Sequence, residues 1–371
     1  MVPEAREPVR ILFGTFYDPR FKMGGAEQVY LELARGMKKA GDEIFCLTNA
    51  GDLTSELEKN NLPFLKIPAS KTRMLQTLSR TCKAIRDFKP DVIHSHHRYF
   101  TFLADTFFKN RSIILHTEEV LRKSKRFFFR YGHFSAACHE SVRKNLIEYY
   151  GVPAERTTVI LNAVSLPAPD PGEVGRMRRE YALQESQVAA VCIARFDEQK
   201  GHRYLIEAVS RLSESERKKF RLFLVGDGGL LPEMKRAAQS QGLLETLIFT
   251  GYSKKLAEYY ALSDFSVLSS LWEGSPLTLL LSYAAGKPLL ATDIDGIRDM
   301  MTPGRTGRLV PVKDSAAMAQ ALSEWIANPS EPRKMGPLSY EWWKQNSSLE
   351  RMISEYRGLY QKLAGEKPYD R

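Results

Sequence analysis

The stretch that decides the fold is VAAVCIARFDEQKGHRYLIEAVSRL, residues 188–212. VAAVCIAR (188–195) reads as a buried strand that ends on a cation. FDEQKG is a short polar loop, and HRYLIEAVSRL (202–212) reads as a helix. A continuous apolar strand, rather than an alternating one, marks a parallel sheet covered on both faces.

The same βα rhythm runs outward in both directions. Toward the C-terminus it continues through RLFLVGDGG (221–229), a helix near 231–241, TLIFTG (246–251), a helix near 254–263, FSVLSS (265–270) and KPLLATD (287–293). Toward the N-terminus lie VRILFGT (9–15), a helix from Glu27 to Lys39, EIFCLTN (43–49), DVIHSHH (91–97), SIILHTE (112–118), HFSAACH (133–139) and TTVILNAV (157–164). SLPAPDPGEVG (165–175) reads as a linker. Two such arrays predict an α/β protein with two doubly wound, Rossmann-like domains facing across a cleft, residues 1–165 and 166–349. The tail EWWKQNSSLERMISEYRGLYQKL (341–363) reads as an amphipathic helix or helix pair anchored by Trp342 and Trp343. Its last part, about 350–371, either stays on its own domain or packs back onto the first.

Composition fits this picture. The 371 residues are 43% hydrophobic and 26% charged, so disorder and fibrous repeats are excluded. Cys46, Cys82, Cys138 and Cys192 lie far apart without metal-ligand spacing, which fits a reducing compartment. The N-terminal apolar run is too short for a signal segment, and nothing approaches the ~20 apolar residues that span a bilayer. A cytoplasmic protein is expected.

No G-x-S-x-G elbow, H-E-x-x-H or G-x-x-x-x-G-K-[ST] loop is present, and no G-x-G-x-x-G follows the first strand. Three segments carry other chemistry. MGGAEQ sets Gly24 and Gly25 at a helix start, where backbone N–H groups suit an anion. Arg195 and Lys200 flank a loop at a strand end, either as a diphosphate clamp or as a solvated pair of cations. In LWEGSPLTLLLSYAAGKPLLATDIDG (271–296), Glu273 precedes a Gly274-Ser275-Pro276 turn and an apolar helix beginning near Leu277. Such a turn suits phosphate, and the carboxylate suits sugar hydroxyls.

ARFDEQKG, LVGDGG, FTGY, SDFSVLSSLWEGSP and AAGKPLLATDIDG, in this order, resemble the donor domain of family 4 (group 1) retaining glycosyltransferases. MGGAEQ, DVIHSHH and LHTEE resemble their N-terminal domain. The resemblance implies a GT-B fold and a transferase that moves sugar from a UDP- or GDP-sugar to an envelope glycan or lipid-linked acceptor. By that resemblance, Arg195 and Lys200 bind the donor diphosphate, and Gly25 lies against it. Glu273 contacts the donor sugar, Gly274, Ser275, Pro276, Leu277 and Thr278 form the phosphate turn, and Gly251 and Tyr252 lie by the nucleobase. His116 positions sugar or acceptor. Front-face attack with the leaving phosphate as proton acceptor needs no protein base, and no cofactor or metal is expected. Asp293 and Asp295 spell D-x-D, a metal string of another architecture. One departure stands out: the second glutamate of the family's E-x7-E motif falls at Leu281, beside Ser282. Leucine forfeits a charge-assisted bond to the ribose, at ~1.5–3 kcal/mol each. Ser282 or another group would have to compensate, and a catalytically silent nucleotide-sugar-binding protein is the alternative.

The charge of +10 is concentrated. Residues 59–144 hold 18 Lys and Arg against 6 Asp and Glu. KTRMLQTLSRTCKAIRDFK (71–89) reads as a helix with Leu75, Leu78, Cys82 and Ile85 on one face and Arg73, Arg80, Lys83 and Arg86 on the other. RKSKRFFFRYGHF (122–134) interleaves cations with aromatics. Both suit peripheral contact with an anionic membrane on its inner face. Nucleic acid is the rival partner, without any recognised module to support it.

Overall fold

Ile11, Leu12 and Phe13 have no solvent exposure. Their strand, β1 (Arg10–Gly14), must therefore be covered on both faces. The structure is a computed structural model that describes residues 7–16, 24–49, 51–68, 73–121 and 129–365. It divides into two units, Met1–Ala163 with Leu349–Arg371, and Val164–Ser348.

The first unit holds a seven-stranded sheet. To β1 it adds β2 (Glu43–Thr48), β3 (Phe64–Lys66), β4 (Val92–Ser95), β5 (Ile113–Glu118), β6 (Phe134–Ala137) and β7 (Thr157–Val159). The order is β3-β2-β1-β4-β5-β6-β7, and every pairing is parallel. The helices are α1 (Gly25–Lys39), α2 (Asp52–Lys59), α3 (Met74–Phe88), α4 (Arg98–Phe108) and α5 (Glu140–Glu148). Sequence reading missed β3, a three-residue edge strand too short to show a pattern, and overextended β7 by five residues. In α3 the expected apolar face is shifted. Leu75 is 80% exposed, while Thr77, Thr81, Ala84 and Ile85 are buried. Threonine can enter that face because Thr77 and Thr81 hydroxyls donate to Arg73 and Thr77 carbonyls one turn back, at 3.1 and 2.8 Å.

The second unit repeats the plan with α6 (Pro171–Glu180), β8 (Val188–Ile193), α7 (His202–Ser210), α8 (Glu214–Lys218), β9 (Phe220–Val225), α9 (Leu231–Ser240), β10 (Leu247–Gly251), α10 (Leu256–Leu262), β11 (Phe265–Leu268), α11 (Leu277–Ala284), β12 (Leu289–Thr292), α12 (Asp295–Arg298), β13 (Gly307–Val310), α13 (Ser315–Ala327) and α14 (Ser330–Asn346). Its parallel sheet runs β10-β9-β8-β11-β12-β13. The expected linker 165–175 is shorter than read. Asp170 caps α6 by accepting from Gly172 N–H at 2.8 Å, and Pro171 starts the helix with its φ already set.

The tail is a helix pair broken at Ser347 and Ser348. Trp342 and Trp343, on α14, pack on the cluster around Tyr283 in the second unit. The chain's last helix, α15 (Leu349–Ala364), belongs to the first unit. Gly36 of α1 makes room for it, since a Cβ there would lie 2.2 Å from Ile353. Its Tyr356 and Tyr360 hydroxyls reach Thr117 Oγ1 at 3.0 Å and His94 Nδ1 at 2.6 Å. Among the described residues no helix is long and apolar enough to cross a membrane.

Candidate active site

Strand order places the second unit's site. From β8 the chain winds one way through β9 and β10, and from β11 the other way, so loops leaving these neighbouring strands diverge. Ligands of doubly wound sheets bind at that crevice. The loop after β8 carries Arg195 and Lys200, and the loop after β11 carries Glu273.

The two loops are bound to each other. Leu271 N–H donates to the Gln199 carbonyl at 2.7 Å, and Ser269 Oγ donates to the Lys200 carbonyl at 2.9 Å. Gly201 has φ +61°, and a Cβ there would sit 2.2 Å from the Ser269 carbonyl oxygen, so only glycine fits. This contact brings Lys200 Nζ to 2.5 Å from Glu273 Oε1. Ser270 Oγ donates to the same oxygen at 2.8 Å, and Gln199 Nε2 to Oε2 at 3.1 Å. Glu273, 6% exposed, is thus a buried carboxylate with each oxygen satisfied. Arg195 is half-exposed and rests one edge on Asp197, Nε to Oδ2 at 2.5 Å.

Gly274, Ser275 and Pro276 lead into α11, with Pro276 as the cap and Leu277 and Thr278 in the first turn. The hydroxyls of Ser275 and Thr278 are buried and have no hydrogen-bond partner among the described residues. Orphaned donors beside a helix N-terminus suit an anionic ligand. Gly251 ends β10 with φ +72°, and Tyr252 beside it is 48% exposed.

Two expectations gain a physical answer. Leu281 packs against two apolar clusters of the unit. Ser282 is fully buried, its Oγ held by Ser266 Oγ at 2.7 Å and the Lys287 carbonyl at 2.8 Å, so it does not replace the missing carboxylate. Asp293 and Asp295 are both engaged by Arg298, at 2.6 and 3.0 Å. Among the described residues no group of three His, Cys, Asp or Glu could hold a metal.

In the first unit, Gly24 caps α1 and its N–H donates to Glu27 Oε2 at 2.9 Å, while Gly25 opens the helix. His116 is 1% exposed, with Nδ1 2.8 Å from Thr101 Oγ1 and Nε2 3.5 Å from Glu118 Oε2. It therefore sits inside a network. Arg98 Nε donates to Glu118 Oε2 at 2.6 Å and its NH1 to Tyr150 OH at 2.6 Å, the guanidinium lying over the Tyr150 and Phe129 rings. Burial opposes charge on Glu118, but His116 and Arg98 outweigh it and hold that carboxyl below its ordinary range. Burial, with His96 and His116 nearby, keeps His94 well below the ordinary imidazole value and so neutral.

Sequence reading did not single out His96, Arg98, Glu118 or Glu119. Its available signal was an acidic pair closing an apolar strand, HTEE, inside the most basic part of the chain.

Residues 174–342 match the model of "Glycosyl transferases group 1", and residues 23–166 that of "Glycosyltransferase Family 4". The chain belongs to the group 1 glycosyltransferases, of GT-B fold. This glycosyltransferase is 23% identical to the N-acetyl-alpha-D-glucosaminyl L-malate synthase of Bacillus anthracis, over 91% of this chain and 94% of the relative. It is 25% identical to the UDP-Gal:alpha-D-GlcNAc-diphosphoundecaprenol alpha-1,3-galactosyltransferase of Escherichia coli, over 74% and 77%. The crystal structure of Anabaena Alr3699/HepE in complex with UDP superposes with a TM-score of 0.83 at 17% identity, covering 95% of this chain and 100% of that one.

Proposed function

We propose that this glycosyltransferase takes sugar from a nucleotide-sugar donor, a UDP- or GDP-sugar, and transfers it with retention to an envelope glycan or lipid-linked acceptor. The observation that carries the reading is the Lys200–Glu273 pair beside the N-terminus of α11, at the switch point of the second sheet. The names of the Escherichia coli relative, a galactosyltransferase with a UDP-Gal donor and a diphosphoundecaprenol acceptor, and of the UDP complex of HepE point the same way.

When the anomeric C–O bond breaks, negative charge grows on the departing phosphate. Lys200, Arg195, the amides of Leu277 and Thr278, and the hydroxyls of Ser275 and Thr278 would meet that charge already oriented. Losing one such donor costs on the order of 10²–10³ in rate. Glu273 holds Lys200 in place and offers its carboxylate to the donor sugar. Acceptor attack comes from the face the phosphate leaves. No metal is required, since cations and amide dipoles already supply the positive field.

The first unit would serve the acceptor. Leu75 and Phe107, 80% and 50% exposed, accompany the exposed cations Arg80, Lys83 and Arg86, which suits an anionic lipid surface. The basic stretch 122–128 lies outside the described residues.

A donor-hydrolysis assay with UDP-glucose, UDP-galactose, UDP-GlcNAc and GDP-mannose tests the reading. Release of free sugar from one of them supports it. Nucleotide binding without hydrolysis or transfer would instead support a silent binding protein, the reading that Leu281 favours.

A further inference from the structure

At the carboxyl end of the first sheet stands a second acid–base group that the donor site does not use. Glu119 follows β5 directly, and His96 follows β4, the neighbouring strand. His96 Nδ1 lies 3.1 Å from Glu119 Oε1, and the two side chains are 1% and 8% exposed. With the Nδ1 proton directed at the carboxylate, His96 Nε2 carries a lone pair that meets no donor among the described residues. Glu119 Oε2 likewise accepts no hydrogen bond from a described residue. A carboxylate that orients an imidazole while both keep a vacant acceptor position matches a ligand that brings hydroxyl protons. The structural pairs around it are closed by contrast: His94 spends both nitrogens on Tyr360 and Thr117, and His116 spends both on Thr101 and Glu118.

We propose that Glu119, held by His96, is the general base that takes the proton from the attacking hydroxyl of the acceptor. This rests on the transferase reading above and assigns its proton to the protein instead of the leaving phosphate. As the acceptor oxygen bonds the anomeric carbon, its O–H bond breaks and the proton passes to the Glu119 carboxylate. The anomeric C–O bond breaks in the same event, and its electron pair leaves with the nucleoside diphosphate. Glu119 then returns the proton to water.

The surroundings suit the task. Burial raises the Glu119 carboxyl above its ordinary value, and Glu27 on α1 and the adjacent Glu118 add to this, while His96 opposes it. Cys138 beyond β6 and Tyr356 on α15 feel the same charge. A carboxylate made more basic in this way is a better proton acceptor near neutral pH.

The test uses the full-length chain and whichever of UDP-glucose, UDP-galactose, UDP-GlcNAc or GDP-mannose it hydrolyses, with water as the acceptor. Glu119→Gln should lower kcat on the order of 100-fold while UDP or GDP binding by calorimetry stays unchanged. Glu119→Ala should regain part of its rate with added formate, and His96→Gln should move the acid limb of the pH–rate profile. Wild-type kcat in Glu119→Gln, or no effect of formate, overturns the proposal alone. A wild-type chain that neither binds nor hydrolyses any of these nucleotides overturns the donor reading and this proposal with it.

Discussion

Lys200 and Glu273 are 73 positions apart in sequence, yet their charged groups meet at 2.5 Å in a site where both side chains are largely buried. The pair unites the loops after β8 and β11 and places the chain's most enclosed cation at the donor end of the second sheet.

That burial sets the first prediction. Lys200→Ala or Glu273→Ala should each cut turnover by roughly 100-fold or more. Each should also lower stability by about 3 kcal/mol, because the remaining partner keeps its desolvation cost without its counter-ion. Combining Lys200→Met with Glu273→Leu should recover most of that stability and none of the activity. Denaturant unfolding alongside donor hydrolysis checks both halves.

Leu281→Glu should tighten nucleotide binding by about tenfold, as one charge-assisted bond to the ribose would. It should also lower the melting temperature, since the new carboxylate must leave an apolar seat. Calorimetry with UDP and GDP decides. Unchanged affinity would mean that the ribose is held elsewhere.

His202 gives the second unit an acid limit. Its ring stacks on Phe196 at 4.0 Å, and neither nitrogen has a partner among the described residues. Burial lowers its pKa from 6.5 to about 4, with Lys200 adding to the effect and Asp197 opposing it. The unfolded chain therefore takes up this proton near 6.5, and the folded chain only near 4. Stability is full above 6.5 and falls as pH drops through that window, by about 3 kcal/mol for this group. His202→Leu should flatten the curve of melting temperature against pH there, and an unchanged slope would contradict the assignment.

Activity should survive 5 mM EDTA, a concentration on the order of fifty times a trace metal load. Arg298 already answers Asp293 and Asp295, so D-x-D has its counter-ion within the chain. Loss of turnover on chelation, restored by magnesium, would return these carboxylates to the reaction.

The fold was legible wherever a strand was central. VAAVCIAR and VRILFGT are buried on both faces, and continuous apolar runs announce that. The short edge elements were not legible: Phe64–Lys66 and Gly307–Val310 have three or four residues and little to bury. In the site, Arg195, Lys200 and Glu273 were readable because they sit at strand ends beside glycines. What sequence could not show is that Glu273 and Lys200 neutralise each other, or that Ser282 faces Ser266, since both depend on which strands become neighbours. His116 illustrates the reverse. Its strand-end position was plain, but its enclosure by Thr101 and Glu118 depends on α4 folding over β5. Glu119 and His96 escaped notice because their pairing joins β4 to β5 across 23 residues.

The most direct test is a crystal structure of the chain with UDP or GDP. The account predicts the diphosphate within hydrogen-bond reach of Lys200 Nζ and the first-turn amides of α11, with Arg195 turned onto it. A nucleotide ordered at a place remote from Arg195, Lys200 and Glu273 would contradict it.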